Sequence, residues 1–250
     1  MNDPVEAVEV ILLHGLGANA GVWQDVAARL AAGGPVRCLD LAGHGAAPWT
    51  GDYTLGALAA AASARIDPGP ATVVVGHSLG GAVGLCLASG WFRPRVSAVV
   101  GLGIKLTWTD DDAAGMAAVA DRGVRWFDTR PEAVERARRM AGLDAALVDD
   151  DHPALTGAVV TVGGRWRLAQ DPRTFAQRPL DGAALLGAAR CPVVLGAGAD
   201  DTMVSAAELG ALVDEPRIAP GVGHNLHVED PDWVAALVTD VIASVGLRRR

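Results

Sequence analysis

The run Gly76-His77-Ser78-Leu79-Gly80 lies between the apolar segment Thr72-Val73-Val74-Val75 and the small, apolar stretch 81–88. A short β-branched run reads as a buried strand, and the alanine- and leucine-rich stretch after it as a helix. Joining strand to helix within so few residues demands a sharp turn, and a serine at its apex takes a strained backbone. Side chains two residues to either side would collide there, so the turn requires glycine at 76 and 80. G-x-S-x-G alone is weakly specific. Between a strand and a helix it is the arrangement that presents a serine hydroxyl as a nucleophile. A helix starting behind Ser78 also directs free backbone N–H groups toward any anion formed there.

The same alternation runs through much of the chain. Apolar runs at 8–13, 36–40, 72–76, 96–101, 193–197 and, weakly, 217–219 predict strands. Helical patterns fill the gaps at about 22–32, 54–66, 78–89, 205–213 and 231–245. Asp230 and Pro231 open the last of these, and Trp233, Leu237 and Val241 lie on its apolar stripe. Strands alternating with helices predict an α/β fold whose mostly parallel sheet is covered on both faces. Between Gly103 and about Leu185 the alternation stops. Helix-start signals appear there instead, at Asp110-Asp111-Asp112, Pro131-Glu132 and Asp171-Pro172, with Trp108, Trp126 and Trp166 among them. The reading is a core of residues 1–103 and 185–250 with a helical lid, 104–184, inserted after the fourth strand. Extra surface helices on the sheet edge are the alternative.

Composition narrows the class. The chain has 250 residues, half of them apolar, which is enough for one large α/β domain. A net charge of −8 argues against nucleic acid or an anionic membrane surface as partner. No apolar run approaches a membrane span in length, and the start, Met1-Asn2-Asp3-Pro4-Val5-Glu6, lacks a basic leader region; both point to a cytoplasmic protein. Cys38, Cys86 and Cys191 are scattered beside apolar segments, as buried reduced thiols would be, and suggest neither a disulfide framework nor a metal site. The final Arg248-Arg249-Arg250 reads as a solvated tail.

A serine hydroxyl becomes a good nucleophile only when a base takes its proton, and the base needs an orienting acid. The strand at 193–197 runs into Gly198-Ala199-Asp200-Asp201-Thr202-Met203-Val204, which offers two adjacent carboxylates at the carboxyl end of a strand. Farther on, Gly221-Val222-Gly223-His224-Asn225-Leu226-His227 forms a loop before the last helix. The order serine, acid, histidine is that of proteins with a G-x-S-x-G turn.

Taken together, His14-Gly15-Leu16-Gly17, Asp40-Leu41-Ala42-Gly43-His44-Gly45, Gly76–Gly80, Gly198–Val204 and Gly223-His224 resemble the α/β-hydrolase fold superfamily. The resemblance is to its lidded esterases, lactonases, cofactor-free haloperoxidases and carbon–carbon bond hydrolases, and it spans the core but not the lid. It implies Ser78 as nucleophile, His224 as base and Asp201 as acid, because that family's acid loop reads Gly-x-x-Asp-x-x-Val; Asp200 is the fallback. It also implies an oxyanion hole of the Leu16 and Leu79 backbone N–H groups, and no metal or organic cofactor. His14 supports its loop by the same resemblance. His44 and His77 read as structural, His227 as a local hydrogen-bonding or pocket-flanking residue, and His152 has no assigned place.

One departure is visible. Only 13 residues precede His14, room for one strand where the family usually carries an antiparallel pair before this loop, so the expected sheet has about six strands. Ile104, Lys105 and Trp108 follow the strand whose end faces Ser78 and are candidate substrate contacts. Val204 is a further one, with Trp23, Trp126, Trp166 and Met203 behind it. Lys105 is suited to a substrate carboxylate or phosphate, or else to solvent. The lid arginines, Arg122, Arg125, Arg136, Arg138 and Arg139 among them, read as a solvated face. The function expected is hydrolysis of a carboxylic ester or lactone of a small, mostly apolar substrate. Carbon–carbon or thioester cleavage, or a lyase reaction, by the same residues is the enzymatic alternative. A ligand-binding protein that keeps the fold is the non-enzymatic one.

Overall fold

The computed structural model describes residues 8–176 and 179–247; the leader and tail readings at 1–7 and 248–250 lie outside them. The core strands are β1 (Val8–Leu13), β2 (Val36–Leu39), β3 (Ala71–His77) and β4 (Arg95–Leu102). After an insertion carrying β5 (Trp126–Phe127), β6 (Val159–Val162) and β7 (Arg165–Leu168) come β8 (Val193–Gly198) and β9 (Arg217–Ala219). The core strands form one six-stranded sheet in the order β2-β1-β3-β4-β8-β9, parallel throughout. Each strand expected from the sequence is present within two residues of its predicted ends.

Period-two alternation divides the sheet between two layers. On β1, Val10 and Leu12 face the cluster that includes Val26 and Leu30 of α1 (Gln24–Ala31) and Val234 and Val238 of α10 (Pro231–Ser244). Ile11 and Leu13 face the other side, against Leu58 of α2 (Leu55–Ser63) and Val83 and Leu87 of α3 (Leu79–Leu87). With helices on both sides, strands of consecutive apolar residues bury completely, as β1 and β3 do. Asp230 accepts from the Trp233 N–H at 2.9 Å and so caps α10, with Pro231 at its first position. The three cysteines are free and partly buried, and burial pushes the Cys38 and Cys191 thiols up to about 11.

The insertion is not all helix, which corrects the helical reading of 104–184. It carries α4 (Asp110–Ala120), α5 (Arg130–Ala141) and α6 (Pro153–Thr156), and also an antiparallel sheet in the order β5-β7-β6. Gly163 and Gly164, with φ of +59° and +81°, form the two-residue turn between β6 and β7, and Val162 pairs with Arg165 across it. Gly-Gly between two β-branched or aromatic runs is a hairpin signal in its own right. The strands are two to four residues long, so their alternation is too brief to read against the helical start signals.

Polar contacts tie the insertion to core loops. Asn19 Nδ2 donates to the Ala154 carbonyl (2.6 Å), Asn225 Nδ2 to that of Gly142 (2.7 Å), and the Tyr53 hydroxyl to the Asp171 carboxylate (2.6 Å). The chain then returns through α7 (Gly182–Ala188), which packs on α3, and through α8 (Ala206–Gly210) and α9 (Leu226–Glu229). Among the described residues no helix is long and apolar enough to cross a membrane.

Candidate active site

The turn between β3 and α3 is as tight as its glycines imply. A Cβ on Gly76 would lie 2.3 Å from the Gly80 carbonyl oxygen, and one on Gly80 would lie 2.2 Å from that of Leu13. Both obstacles are backbone and cannot swing aside. Ser78 sits at φ +48°, ψ −115°, the one described non-glycine residue with positive φ. A non-glycine side chain is held in that conformation only where its surroundings over-determine it, as the strand and helix do here. The Ser78 N–H donates to the Leu102 carbonyl (2.8 Å), which fixes the turn against β4.

Asp201 and His224 arrive from the loops after β8 and β9. The His224 Nδ1–H donates to Asp201 Oδ2 at 2.9 Å. The other carboxylate oxygen accepts from the N–H groups of Met203 (2.7 Å) and Val204 (3.1 Å). Burial alone would raise the Asp201 carboxyl; the His224 and backbone hydrogen bonds outweigh it and hold the group below its usual value. Neighbouring Asp200 is exposed, so of the two adjacent carboxylates it is Asp201 that meets the histidine.

His77, next to the serine, packs its ring 4.6 Å from that of His224 and donates from Nε2 to the His224 carbonyl (2.9 Å). Among the described residues no hydrogen bond joins the Ser78 hydroxyl to the His224 ring in this arrangement. The Leu79 N–H heads α3, and neither it nor the Leu16 N–H makes a hydrogen bond among the described residues.

A small cavity of about 50 Å³ opens over the serine, lined by Leu16, Ser78, Leu79, Ile104, Lys105 and Trp108 together with Ala82, Met116 and Leu180. Ile104, Lys105 and Trp108, the candidate substrate contacts, are among its lining residues. Lys105 is engaged by Asp112 at 3.1 Å, and its backbone carbonyl accepts from Trp108 Nε1 (2.8 Å). Val204 does not line this cavity. It faces a neighbouring cleft with Met203, and its contribution near the site is the N–H given to Asp201. Trp23 is wholly buried, and Trp126 and Trp166 belong to the insertion's sheet. Met116 and Leu180 escaped the sequence reading because lone apolar residues far from the motifs carry no positional signal.

Four further histidines are buried behind this site. His14 donates from Nδ1 to the Gly15 carbonyl (2.8 Å) and accepts at Nε2 from the Leu41 N–H (3.0 Å), so it braces the loop after β1. His44 is pushed down to about 3 by burial and by its neighbour His14. His77 is pushed well down by burial and by His227 and His224. His227 is pushed down to about 3 by burial and by His224; its ring packs between those of Trp23 and His77, and among the described residues neither of its nitrogens has a hydrogen-bond partner. His152 caps α6, accepting from the Ala154 N–H. Among the described residues no group of three or more histidine, cysteine or carboxylate side chains is placed to hold a metal ion.

A family model described as the alpha/beta hydrolase family matches residues 10–237. This chain belongs to that family. The alpha/beta hydrolase is 31% identical over 205 residues to a pimeloyl-acyl-carrier-protein methyl ester esterase of Chromobacterium violaceum, a match covering 78% of this chain and 76% of that protein. A protein of the same name from Neisseria meningitidis serogroup A is 40% identical over 118 residues, or 47% of this chain. That match spans only 37% of the Neisseria protein's length. Lipase LipV of Mycobacterium tuberculosis is 34% identical over 61% of this chain and 56% of its own. Among solved structures, an M. tuberculosis esterase superposes with a TM-score of 0.75 at 23% identity, covering 95% of this chain and 86% of its own. The thioesterase domain of a curacin biosynthetic pathway gives 0.73 at 20%, covering 94% and 92%. At such identities the solved structures establish the alpha/beta hydrolase fold.

Proposed function

We propose that this alpha/beta hydrolase cleaves a carboxylic ester through an acyl-enzyme on Ser78. The observation that carries the reading is the 2.9 Å bond from His224 Nδ1–H to a buried Asp201 carboxylate, with the serine in a strained turn next to His77, whose ring packs on that of His224. That bond fixes the imidazole tautomer, leaving Nε2 free of a proton and able to accept one. The relatives named esterases and lipase favour an ester over a carbon–carbon bond.

In the mechanism proposed, Ser78 Oγ donates to His224 Nε2 in the substrate complex. Oγ attacks the ester carbonyl carbon as its proton passes to Nε2, and the carbonyl oxygen becomes an anion facing the Leu16 and Leu79 N–H groups. Collapse expels the alcohol, which leaves with the proton from Nε2. Water then loses a proton to the same nitrogen, attacks the acyl-serine, and releases the acid with Ser78 restored. Asp201 stays ionised throughout and stabilises the transient imidazolium. The apolar lining from Ile104, Met116 and Leu180 suits a small, mostly apolar acyl group as the substrate.

The test is turnover of short p-nitrophenyl and methyl esters, with fluorophosphonate labelling. Ser78→Ala is expected to cut kcat by about 10³-fold or more while leaving the circular dichroism spectrum unchanged. Undiminished ester turnover in that variant, or labelling at another residue, defeats the reading.

A further inference from the structure

Of the insertion's arginines, Arg122, Arg125 and Arg139 are exposed as a solvated face would be, whereas Arg136 is half-buried and Arg138 buried. Arg122 and Arg125, just after α4, and Arg136, on α5, converge on a single cavity of about 380 Å³ with Gln170 and Phe175 in its wall. Among the described residues none of the three has a carboxylate partner. Of the acids close in sequence, Asp128 is paired with Arg165, Glu135 with Arg138 and Arg139, and Glu132 with the Thr129 cap, while Asp121, beside Arg122, is exposed and makes no ion pair among the described residues. Arg125 lies over the Phe127 ring at 5.0 Å, a contact that orients the guanidinium without neutralising it. Burial, with repulsion from Arg125, Arg139 and Arg122, pushes the Arg136 guanidinium below its usual value. Three guanidinium groups lining one space, none of them in an ion pair among the described residues, make a local positive field in a chain of net charge −8.

The linings of this cavity and of the one over the serine come from neighbouring segments: Met140 lines the arginine cavity, its carbonyl oxygen lies 2.6 Å from where a Cβ on Gly17 would stand, and Leu16 beside that glycine lines the Ser78 cavity. Helix α4 turns Met116 toward the serine side and Val119 toward the arginine side, three residues apart and therefore neighbours on its surface. The two cavities thus draw their walls from the same pair of segments, Leu16–Gly17 with Met140 and Met116 with Val119, which is the geometry an extended ligand with its ester at Ser78 would follow. Lys105, the cation nearer the serine, is already paired with Asp112 and is not available for that task.

We infer that the Arg122–Arg125–Arg136 cavity binds an anionic group, a carboxylate or a phosphate, at the end of the substrate remote from the scissile ester. Guanidinium groups suit this role because they remain charged and offer paired N–H donors to both kinds of oxyanion. The inference rests on the ester-hydrolase reading for its placement, but anion binding is measurable without turnover.

The experiment is calorimetric titration of the full chain carrying Ser78→Ala with adipate and with inorganic phosphate at matched ionic strength. The comparison proteins carry Arg136→Gln or Arg125→Gln in addition, with Arg136→Lys to retain the charge and Arg139→Gln as a control for net charge on the same helix. At least one anion is expected to bind, and the tighter one names the class. Arg136→Gln and Arg125→Gln are each expected to weaken it about tenfold or more, with partial recovery in Arg136→Lys and little change in Arg139→Gln. In the active enzyme, the kcat/KM ratio of monomethyl dicarboxylates to the corresponding neutral methyl esters is expected to exceed one and to fall about tenfold in Arg136→Gln. Absence of binding by both anions, or equal weakening by Arg139→Gln, overturns the inference. If Ser78-dependent ester turnover persists alongside that result, the catalytic reading stands without it.

Discussion

The ring Nε2–H of His77 donates to the backbone carbonyl of His224 at 2.9 Å, so the residue beside the serine grips the loop that bears the proposed base. Two segments 147 residues apart in sequence are thereby held in contact at the rim of the sheet. The bond leaves the His224 side chain free to face Asp201, and its chemistry gives a first expectation. Replacing His77 by Phe keeps the packing but loses the donor. Its kcat is expected to fall while fluorophosphonate labelling of Ser78 still proceeds more slowly; unchanged steady-state kinetics would show that the grip is dispensable.

Asp201→Asn should be far more damaging than Asp200→Asn. The amide keeps the shape of the carboxylate but turns the imidazole toward the wrong tautomer, at about 10⁴-fold in kcat. Asp200 is exposed, and its replacement is expected to change kcat less than about twofold, as for a surface position outside the network. Parallel kcat measurements on the two variants separate these adjacent carboxylates.

Gly80→Ala and Gly76→Ala are expected to prevent stable folding. The added methyl would stand 2.2 or 2.3 Å from backbone oxygen atoms, which no rotamer change relieves. Overpacking against backbone costs about 1–3 kcal/mol at least, a large part of a typical domain's margin. The check is the thermal midpoint and soluble yield of each variant. Gly187→Ala, where a Cβ meets nothing within 4 Å, serves as the tolerant control.

Acidification should destabilise the protein before its carboxylates titrate. His44 and His227 are pushed down to about 3 by burial, so between that value and about 6.5 the unfolded chain binds protons that the folded chain refuses. Stability therefore falls as pH falls through this window, by on the order of 1 kcal/mol per pH unit for each such histidine. His227→Phe removes one of these groups together with two buried nitrogens that have no hydrogen-bond partner among the described residues. It is expected to hold stability at pH 7 and to flatten the acid limb of a midpoint-against-pH curve. A steeper limb would contradict the neutral, buried state of this ring.

The sequence made the core legible because its signals are short-ranged. Period-two runs placed β1, β3 and β4, and the glycines two residues either side of Ser78 were already a statement about backbone collision. The Gly-Gly turn at 163–164 carried a signal of the same kind, but two- to four-residue strands gave it no periodicity to support it. Other features have no local signature at all. That Val204 contributes an N–H and not a pocket wall, and that Met116 and Leu180 line the cavity, both depend on how loops converge. Identical guanidinium groups show the limit most plainly. Arg139 pairs with Glu135 while Arg136, on the same helix, faces a cavity with no acid, because helix phase and the neighbouring loop together decide which charges meet a partner. Backbone sterics and hydrophobic period are written residue by residue, whereas charge pairing and cavity shape exist only once distant segments share the same space.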